Sequence, residues 1–380
     1  MKEALVIGSH SFLYPGSKVG IQFIAEGLSR NGYRVHYLSL PSSPADLFSR
    51  TKRRRFNQSW IKRFDTKPQP IAENLYEYVL RTPYPMNNKY WHFYWQIKYF
   101  NLLRPRWLLS KIFNLTIHET SPTFIFLQGV RSRCNVLRLS DKPEGFSFHM
   151  PASVIALFVK RIRTAAYDEI WSVSEGLTAY IKNINPNVPV VTIRNGVDLS
   201  IFNNYQKQPN GEMRAVYVGS IDKWIDLDLL QATAALLPHW RFDLFGPNST
   251  NSNITGSNIY YHGPIAYNNL PNIFNRCSVG LIPYKDISDR MNVVEQPVKF
   301  YAYLAAGLGI ASTDVGGLKL GMSHWARYGN TPKEYADAIV ASAYDAKQRS
   351  NNEIRLFLKD YSWDLIINRI MERLHSIERS

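Results

Sequence analysis

Cysteine is nearly absent from this chain, which argues against a zinc site of the CxxC type and against a disulfide-rich secreted protein. Among 380 residues only Cys134 and Cys277 occur, far apart, so no CxxC pair with metal-ligand spacing is present. We therefore expect a reduced, cytosolic compartment. No apolar run reaches the 18 residues that a membrane-spanning helix needs, and the short apolar run after Met1 predicts a first strand, not a signal peptide.

Solenoid repeats and low-complexity segments are also lacking, and acidic residues are scarce in one half. Residues 1–200 hold 27 Lys and Arg against 13 Asp and Glu, whereas residues 201–380 hold 18 against 17. A hydrophobic content of 45% excludes a disordered chain, and the length suits two domains. The basic half predicts an anionic partner: nucleic acid, a membrane surface or an acidic ligand.

The order of the apolar runs predicts two α/β domains in tandem with a cleft between them. Helical periodicity falls at 21–28, 154–167, 227–237 and 363–377. Strands are expected at 4–7, 35–38, 123–127, 135–139, 170–173, 190–193, 215–218, 241–245, 259–262, 279–283 and 309–312. The polar stretch 203–211 marks the boundary. We place one domain at 1–200, a second domain at 201–361 and a last helix at 362–380.

Two segments of the first half combine basic and aromatic residues. Residues 50–63 are rich in Arg and Lys, and residues 90–107 carry Trp, Tyr and Phe at helical spacing. Lys and Arg are attracted to anionic lipids, and Trp and Tyr favour the headgroup zone, so a membrane surface is one interpretation. An ordinary core helix and a solvated basic loop, or nucleic-acid binding, remain the alternatives.

One stretch of the second half suits an anionic group. Residues 296–307 have helical periodicity, end in small residues and precede a strand, and Lys299 lies near the start of this helix. A helix N-terminus offers backbone N–H groups and a positive dipole, and a lysine adds a point charge, which together suit a diphosphate. Taken alone, a single lysine is more often a solvated surface residue.

Several short motifs in this half occur in the order of a known family. They are Val216-Tyr217-Val218-Gly219-Ser220, Phe245-Gly246-Pro247, His262-Gly263-Pro264, Gly280-Leu281-Ile282-Pro283-Tyr284, Pro297-Val298-Lys299 and Tyr303-Leu304-Ala305-Ala306-Gly307, preceded by Asn195-Gly196-Val197-Asp198. Together they resemble the nucleotide-sugar half of GT-B glycosyltransferases, including the family 4-like enzymes. The resemblance implies two Rossmann-like domains facing across a cleft. Residues 1–200 would be the acceptor- and membrane-binding domain and residues 201–361 the nucleotide-sugar domain, with the last helix, 362–380, crossing back to the first.

The first half resembles a narrower group, the membrane-associated β-glucuronosyltransferases of xanthan-type exopolysaccharide synthesis. His10-Ser11-Phe12 is similar to their HDF loop, and Arg138-Leu139-Ser140-Asp141 is similar to their R-x-S-D segment. The resemblance implies that Asp141 is the catalytic base, with His10, Phe12, Arg138 and His149 on the acceptor side. A turn-forming aspartate is the alternative for Asp141, and His149 or Glu119 are alternative bases.

The same resemblance implies a set of donor-binding residues. They are Gly219, Ser220, Ile221, Pro264, Ile265, Tyr284, Arg290, Glu295, Val298 and Lys299. Ala302 stands where many retaining relatives have the second Glu of an E-x7-E pair, so ribose recognition by that side chain is absent. Ile221, Ile265 and Val298 stand at methionines of the narrower group, so the donor sugar can differ from glucuronate.

These observations predict a metal-independent, inverting glycosyltransferase without a cofactor. It would move a sugar from a UDP-sugar to a lipid-linked or surface glycan at the inner face of the cell membrane. Asp226-Leu227-Asp228 is a DxD by letter, but we interpret it as a helix start. The alternatives are a retaining family 4-like transferase, a GT-B-fold nucleotide-sugar epimerase and a nucleic-acid-binding protein.

Overall fold

A computed structural model describes residues 1–13, 18–48, 68–81, 106–121, 124, 127–146, 152–203, 205, 213–286 and 294–379. The chain divides into two compact units. Unit one contains Met1–Tyr14, Lys18–Ile193 and Ile367–Ser380, and unit two contains Arg194–Ile366.

Unit one is built on a sheet that has eight strands within the described ranges, in the order β3-β4-β2-β1-β5-β6-β7-β8. All neighbours pair in parallel except β3 and β4. The strands are β1 (Lys2–Ile7), β2 (Tyr33–Ser42), β3 (Gln69–Ala72), β4 (Leu75–Arg81), β5 (Ile112–Glu119), β6 (Arg131–Leu139), β7 (Glu169–Ser172) and β8 (Val190–Thr192). The central strands are buried almost throughout, as parallel sheets covered on both faces require.

Helices pack against this sheet. They are α1 (Gly20–Arg30), α2 (Arg106–Ser110), α3 (Ala152–Arg163), α4 (Glu175–Ile184) and α11 (Trp363–Arg379). Helix α1 ends at Asn31, and Gly32 follows with a φ of +83°, the left-handed region that favours glycine after a helix. Arg373 of α11 donates from Nε to the buried Glu169 carboxylate over 2.7 Å, which ties this helix to β7.

Unit two contains a parallel sheet that has six strands within the described residues, in the order β11-β10-β9-β12-β13-β14. The strands are β9 (Arg214–Val218), β10 (Arg241–Phe245), β11 (Ile259–Gly263), β12 (Val279–Ile282), β13 (Gly309–Ser312) and β14 (Arg327–Tyr328). The helices are α5 (Leu227–Leu236), α6 (Leu270–Phe274), α7 (Val298–Ala305), α8 (Leu318–Met322), α9 (Pro332–Gln348) and α10 (Asn351–Lys359). The predicted α/β class is therefore confirmed.

Most predicted strands are observed, but one is wrong. Residues 123–127 were expected to form a buried strand, whereas Phe124 and Leu127, the two described residues of that segment, lie in 3-10 turns. The strand of this region is β5, which ends at Glu119. Phe124 lies in the connection after β5, where its ring packs on that of Phe158 with centroids 4.0 Å apart. Hydrophobicity without alternation does not separate a strand from a buried turn.

Other expectations meet the structure in different ways. Asp226 begins α5 as an N-cap, with its carboxylate accepting the Leu229 amide at 3.0 Å, so the interpretation of Asp226-Leu227-Asp228 as a helix start is confirmed. The basic run 50–63 lies outside the described residues, as does 90–105 of the aromatic stretch. No helix in the described part of the chain combines the length and apolarity needed to cross a membrane.

Candidate active site

Lys299 is a half-buried lysine of unit two. It lies in the first turn of α7, whose N-cap is Pro297. Its ammonium lies 4.0 Å from the ring centroid of Tyr217 and 5.1 Å from that of Tyr284. Among the described residues it has these two rings as neighbours and no hydrogen bond or ion pair. Burial lowers the pKa of Lys299 to about 7, because loss of water disfavours the charged form.

The backbone beside Lys299 is shaped by glycine. Gly219 follows β9 with a φ of +148°, and a Cβ built there would come within 2.9 Å of the Lys299 ammonium. Gly246 follows β10, and a Cβ there would lie 1.8 Å from the carbonyl oxygen of Gly219. Both positions therefore exclude side chains. The loop after β9 and the start of α7 can approach closely, leaving an ammonium and bare backbone that suit an anionic ligand.

Tyr284 and Thr313 join the ends of β12 and β13 next to this ammonium. The Tyr284 amide donates to the Thr313 hydroxyl at 3.0 Å, and that hydroxyl donates to the Tyr284 carbonyl at 2.8 Å. Below them, the buried Tyr303 hydroxyl accepts the Val218 amide at 3.0 Å. Tyr217 and Thr313 were missed from sequence. Their signal was weak, since Tyr217 sits within an apolar strand and Thr313 has no distinctive spacing.

The other predicted donor-binding residues differ in exposure. Ser220 lies 2.9 Å from the Ser249 hydroxyl, Pro264 is exposed, and Ile265 is half-buried against the core. Ile221 is fully buried in the core around Leu230, while Val298 is 41% exposed at the first residue of α7. Arg290 lies outside the described residues. These assignments stay predictions.

Glu295 is held by a partner distant in sequence. Its carboxylate accepts from Nη1 of Arg194 at 2.6 Å, and the ion pair raises the pKa of Arg194, although burial works in the opposite direction. The Glu295 side chain is 13% exposed, so it is not a solvated loop residue. The arrangement joins the segment before α7 to the segment after β8.

In unit one, Asp141 lies two residues after the end of β6. It is 5% exposed, and its Oδ1 accepts the Lys142 amide at 2.9 Å. The side chain is thus held at the carboxyl end of a parallel strand, the edge at which α/β sheets bind ligands. The Lys142 bond also agrees with the turn-forming alternative, so the geometry allows both roles.

Arg138 and Glu119 form a buried ion pair on neighbouring strands. Nη1 of Arg138 lies 2.5 Å from Oε1 of Glu119, and the two side chains are 2% and 8% exposed. Burial raises the pKa of Glu119, while the Arg138 charge opposes that rise. The Glu119 carboxylate is therefore engaged by a cation on the neighbouring strand. His149 lies outside the described residues.

The loop after β1 carries the remaining predicted residues. His10 is exposed, and its Nδ1 lies 3.0 Å from the Ser9 hydroxyl. The Phe12 ring packs edge-on against Tyr37, with centroids 4.8 Å apart. In the described part of the chain, no group of three His, Cys, Asp or Glu side chains is arranged to hold a metal ion.

Comparison with solved structures identifies this architecture. Sucrose-phosphate synthase from Thermosynechococcus elongatus matches with a TM-score of 0.73 at 14% identity, covering 100% of both chains. Anabaena HepE, solved in complex with UDP and glucose, matches with a TM-score of 0.68 at 11% identity, covering 99% of this chain and 100% of HepE. The chain has the GT-B glycosyltransferase fold. The predicted fold class is confirmed, and the similarity extends over the whole chain.

Similarity in sequence covers a smaller part of the chain than similarity in structure. No protein-family model matches the chain. TuaH of Bacillus subtilis (strain 168), whose name assigns it to teichuronic acid biosynthesis as a glycosyltransferase, is 26% identical over 139 residues. The match covers 33% of this chain and 34% of TuaH, so the chain spans about a third of that relative's length.

Proposed function

We propose that this GT-B protein is a glycosyltransferase that takes a sugar from a UDP-sugar and transfers it to a lipid-linked or surface glycan. Unit two would bind the donor and unit one the acceptor. HepE, with the same fold, is solved in complex with UDP and glucose, and TuaH is named for teichuronic acid biosynthesis. HepE supports a UDP-sugar as the donor, and TuaH supports a role in glycan biosynthesis.

The observation that carries the proposal is the Lys299 ammonium. It lies in the first turn of α7, beside Gly219 and between two tyrosine rings, without an anion among the described residues. Lys299 is half-buried, and an ammonium that has lost part of its water without gaining a counter-ion costs free energy, so this placement is understandable when a ligand supplies the negative charge. A diphosphate does so, and α7 adds its N–H groups and dipole. We propose that these groups stabilise the leaving UDP without a metal ion.

Donor binding should weaken as the pH rises above 7. Diphosphate binding needs the protonated lysine, and the pKa of Lys299 in the free protein is about 7. Above that pH the charged fraction falls about tenfold per unit, and the affinity for UDP-glucose should follow it. Calorimetric titration with UDP-glucose between pH 6 and pH 8.5 measures this. Buffers of different ionisation enthalpy should reveal proton uptake on binding near pH 8.

Two outcomes of that titration would count against the proposal. If UDP-, GDP- and dTDP-glucose all fail to bind, the protein is not a nucleotide-sugar transferase. If UDP-glucose binds with the same affinity from pH 6 to pH 8.5, Lys299 is not the group that meets the diphosphate. The use of a nucleotide-sugar rather than free UDP matters, because its diphosphate has no secondary phosphate ionisation in this range.

For the transfer step, we propose that Asp141 takes the proton from the acceptor hydroxyl as that oxygen attacks the anomeric carbon. The bond to the UDP oxygen breaks on the opposite face, so the configuration inverts. Asp141 supports this role by its place, since its carboxylate is held at the end of β6 by the Lys142 amide. A positioned carboxylate of this kind contributes about 10²- to 10⁴-fold to the rate.

We also propose that unit one binds the inner face of the cell membrane. In the described part of unit one, the last turn of α3 carries Lys160, Arg161 and Arg163, and Leu157 on the same helix is 38% exposed. Exposed basic residues near anionic lipid are each worth about 1 kcal/mol of binding. A lipid-linked acceptor would be presented at this surface.

Vesicle binding should depend on these charges. The double change Lys160→Ser and Arg163→Ser should lower the affinity for anionic phospholipid vesicles, measured by sedimentation, about 30-fold. Each charge is worth about 1 kcal/mol of binding, so two charges give about 2 kcal/mol. Lys333→Ser with Lys347→Ser on α9 provides a control that removes the same number of exposed charges from unit two. Equal binding to neutral vesicles, or no effect of 0.5 M salt, would argue against an electrostatic contact.

A further inference from the structure

The backbone of the loop after β1, residues 8–13, is hydrogen-bonded by two side chains that come from other strands. The Tyr37 hydroxyl, on β2, donates to the His10 carbonyl oxygen at 2.7 Å. The Phe12 amide donates to Oε2 of Glu77, on β4, at 3.0 Å. Tyr37 and Glu77 are register partners in the parallel β2–β4 pair, so their side chains leave the same face of the sheet.

Both supporting side chains are fully buried. Tyr37 and Glu77 have no exposed surface. The phenol reaches the loop across Gly8, where a Cβ would lie only 2.2 Å from the Tyr37 hydroxyl oxygen. Burying a carboxylate such as that of Glu77 is unfavourable unless hydrogen-bond donors surround it. A short apolar side chain would fill the same space at lower cost.

The loop itself places one polar ring outward. Ser11 is buried and its hydroxyl accepts the Leu13 amide at 3.1 Å, and the Phe12 ring packs on Tyr37. His10, directly before these anchored residues, is exposed, with Nδ1 beside the Ser9 hydroxyl. The bonds from Tyr37 and to Glu77 hold the chain at the His10 carbonyl and two residues later, at the Phe12 amide.

We propose that Tyr37 and Glu77 are positioning residues that hold the backbone at the His10 carbonyl and at the Phe12 amide, and thereby orient the His10 imidazole toward the acceptor. The idea rests on the proposed transferase function, in which His10 lies on the acceptor side. Neither residue touches the acceptor. Each acts through the loop, by a hydrogen bond from or to a side chain that is itself buried.

The orientation of His10 can be measured without turnover. In protein labelled at histidine, the imidazole resonances of His10 are assigned with His10→Gln and then followed in Tyr37→Phe. Loss of the phenol hydroxyl should shift these resonances, while the ring packing on Phe12 is kept. Tyr335→Phe is the matched control, because the buried Tyr335 also donates to a backbone carbonyl, that of Ala311 at 3.0 Å in unit two. It should leave His10 unchanged.

Glu77 provides a second pair of variants. Glu77→Gln keeps an oxygen that can accept the Phe12 amide and should leave the His10 resonances in place. Glu77→Met removes the acceptor and should shift them. Unchanged His10 resonances in both Tyr37→Phe and Glu77→Met would overturn the proposal. Because this measurement needs no substrate, it decides the support of the loop even if no nucleotide-sugar binds.

Measurements of kcat test whether the hydrogen bond from Tyr37 acts through His10. Tyr37→Phe should lower kcat about fivefold, the value of one neutral hydrogen bond, with the KM for UDP-glucose unchanged. In a His10→Ala background the same change should have no further effect, because the group being oriented is already gone. An equal loss in both backgrounds would show a merely structural role and refute the proposal.

Discussion

Asp141→Asn is expected to lower the rate of glycosyl transfer by about 10²- to 10⁴-fold while UDP-glucose binding stays at the wild-type level. The amide has the shape of the carboxylate but cannot accept the proton of the attacking hydroxyl. Its oxygen can still accept the Lys142 amide, so the turn after β6 should be kept. Transfer is measured as UDP release that depends on acceptor, and binding is measured by calorimetry.

A matched variant separates base catalysis from local structure. Asp168 is also an aspartate of unit one whose carboxylate accepts a backbone amide, that of Asn135 at 2.7 Å. Asp168→Asn should therefore retain activity. Wild-type turnover in Asp141→Asn would refute the base assignment and leave the turn-forming role. If Asp141→Asn is active and Glu119→Gln is inactive, Glu119 is the catalytic base instead. The anomeric configuration of the product distinguishes inverting from retaining transfer.

Lys299→Met should reduce kcat/KM for the UDP-sugar about 10²- to 10³-fold, the size of effect seen when a preorganised electrostatic group is removed from a reaction site. Binding of UDP-glucose itself should weaken about 10- to 150-fold, since one hydrogen bond to a charged group is worth about 1.5–3 kcal/mol. Calorimetry and initial-rate kinetics measure the two effects separately. Methionine keeps most of the aliphatic volume between Tyr217 and Tyr284.

The fold should tolerate that substitution. The pKa of Lys299 is about 7 in the folded protein, well below the usual value near 10.5 that it regains on unfolding. Between these two values the unfolded chain binds the extra proton, so this residue makes stability rise with pH from about 7 to about 10.5 and opposes folding most below 7. Lys299→Met should therefore melt no lower than the wild type at pH 6.

The control for this variant is an exposed lysine of the same unit. Lys333 is 80% exposed and 3.4 Å from Asp337 on the same helix, so Lys333→Met should change neither binding nor rate. A Lys299→Met protein that melts well below the wild type, or that binds UDP-glucose normally, would contradict the role assigned to the ammonium.

Local sequence was informative where the physical cause is local. Apolar runs of four or five residues marked β1, β7, β9 and β12, and Asp226 marked the start of α5, because strand burial and helix capping depend on a few neighbouring residues. The wrong strand at 123–127 came from the same kind of pattern, since a buried turn can be as apolar as a strand. Strands β3, β4, β5 and β14 were not predicted.

Distant partners could not be predicted in this way. Glu295 was proposed from sequence as a donor-binding residue, but its carboxylate is engaged by Arg194, 101 residues earlier. Arg138 was proposed for the acceptor side, and its guanidinium meets Glu119 on the neighbouring strand. Nothing in the spacing of these residues specifies the pairs, because they depend on which strands and loops become neighbours.

By itself, the sequence determined the alternation of strands and helices, the uneven charge and the motif order that is typical of the GT-B fold. The placement of Lys299 between two tyrosine rings, and the support of His10 by Tyr37 and Glu77, were decided only by the tertiary structure. The physical reason is the distance along the chain over which each interaction acts. Periodicity and capping act over a few residues, whereas burial and hydrogen-bond partners of a side chain depend on segments that meet only after folding.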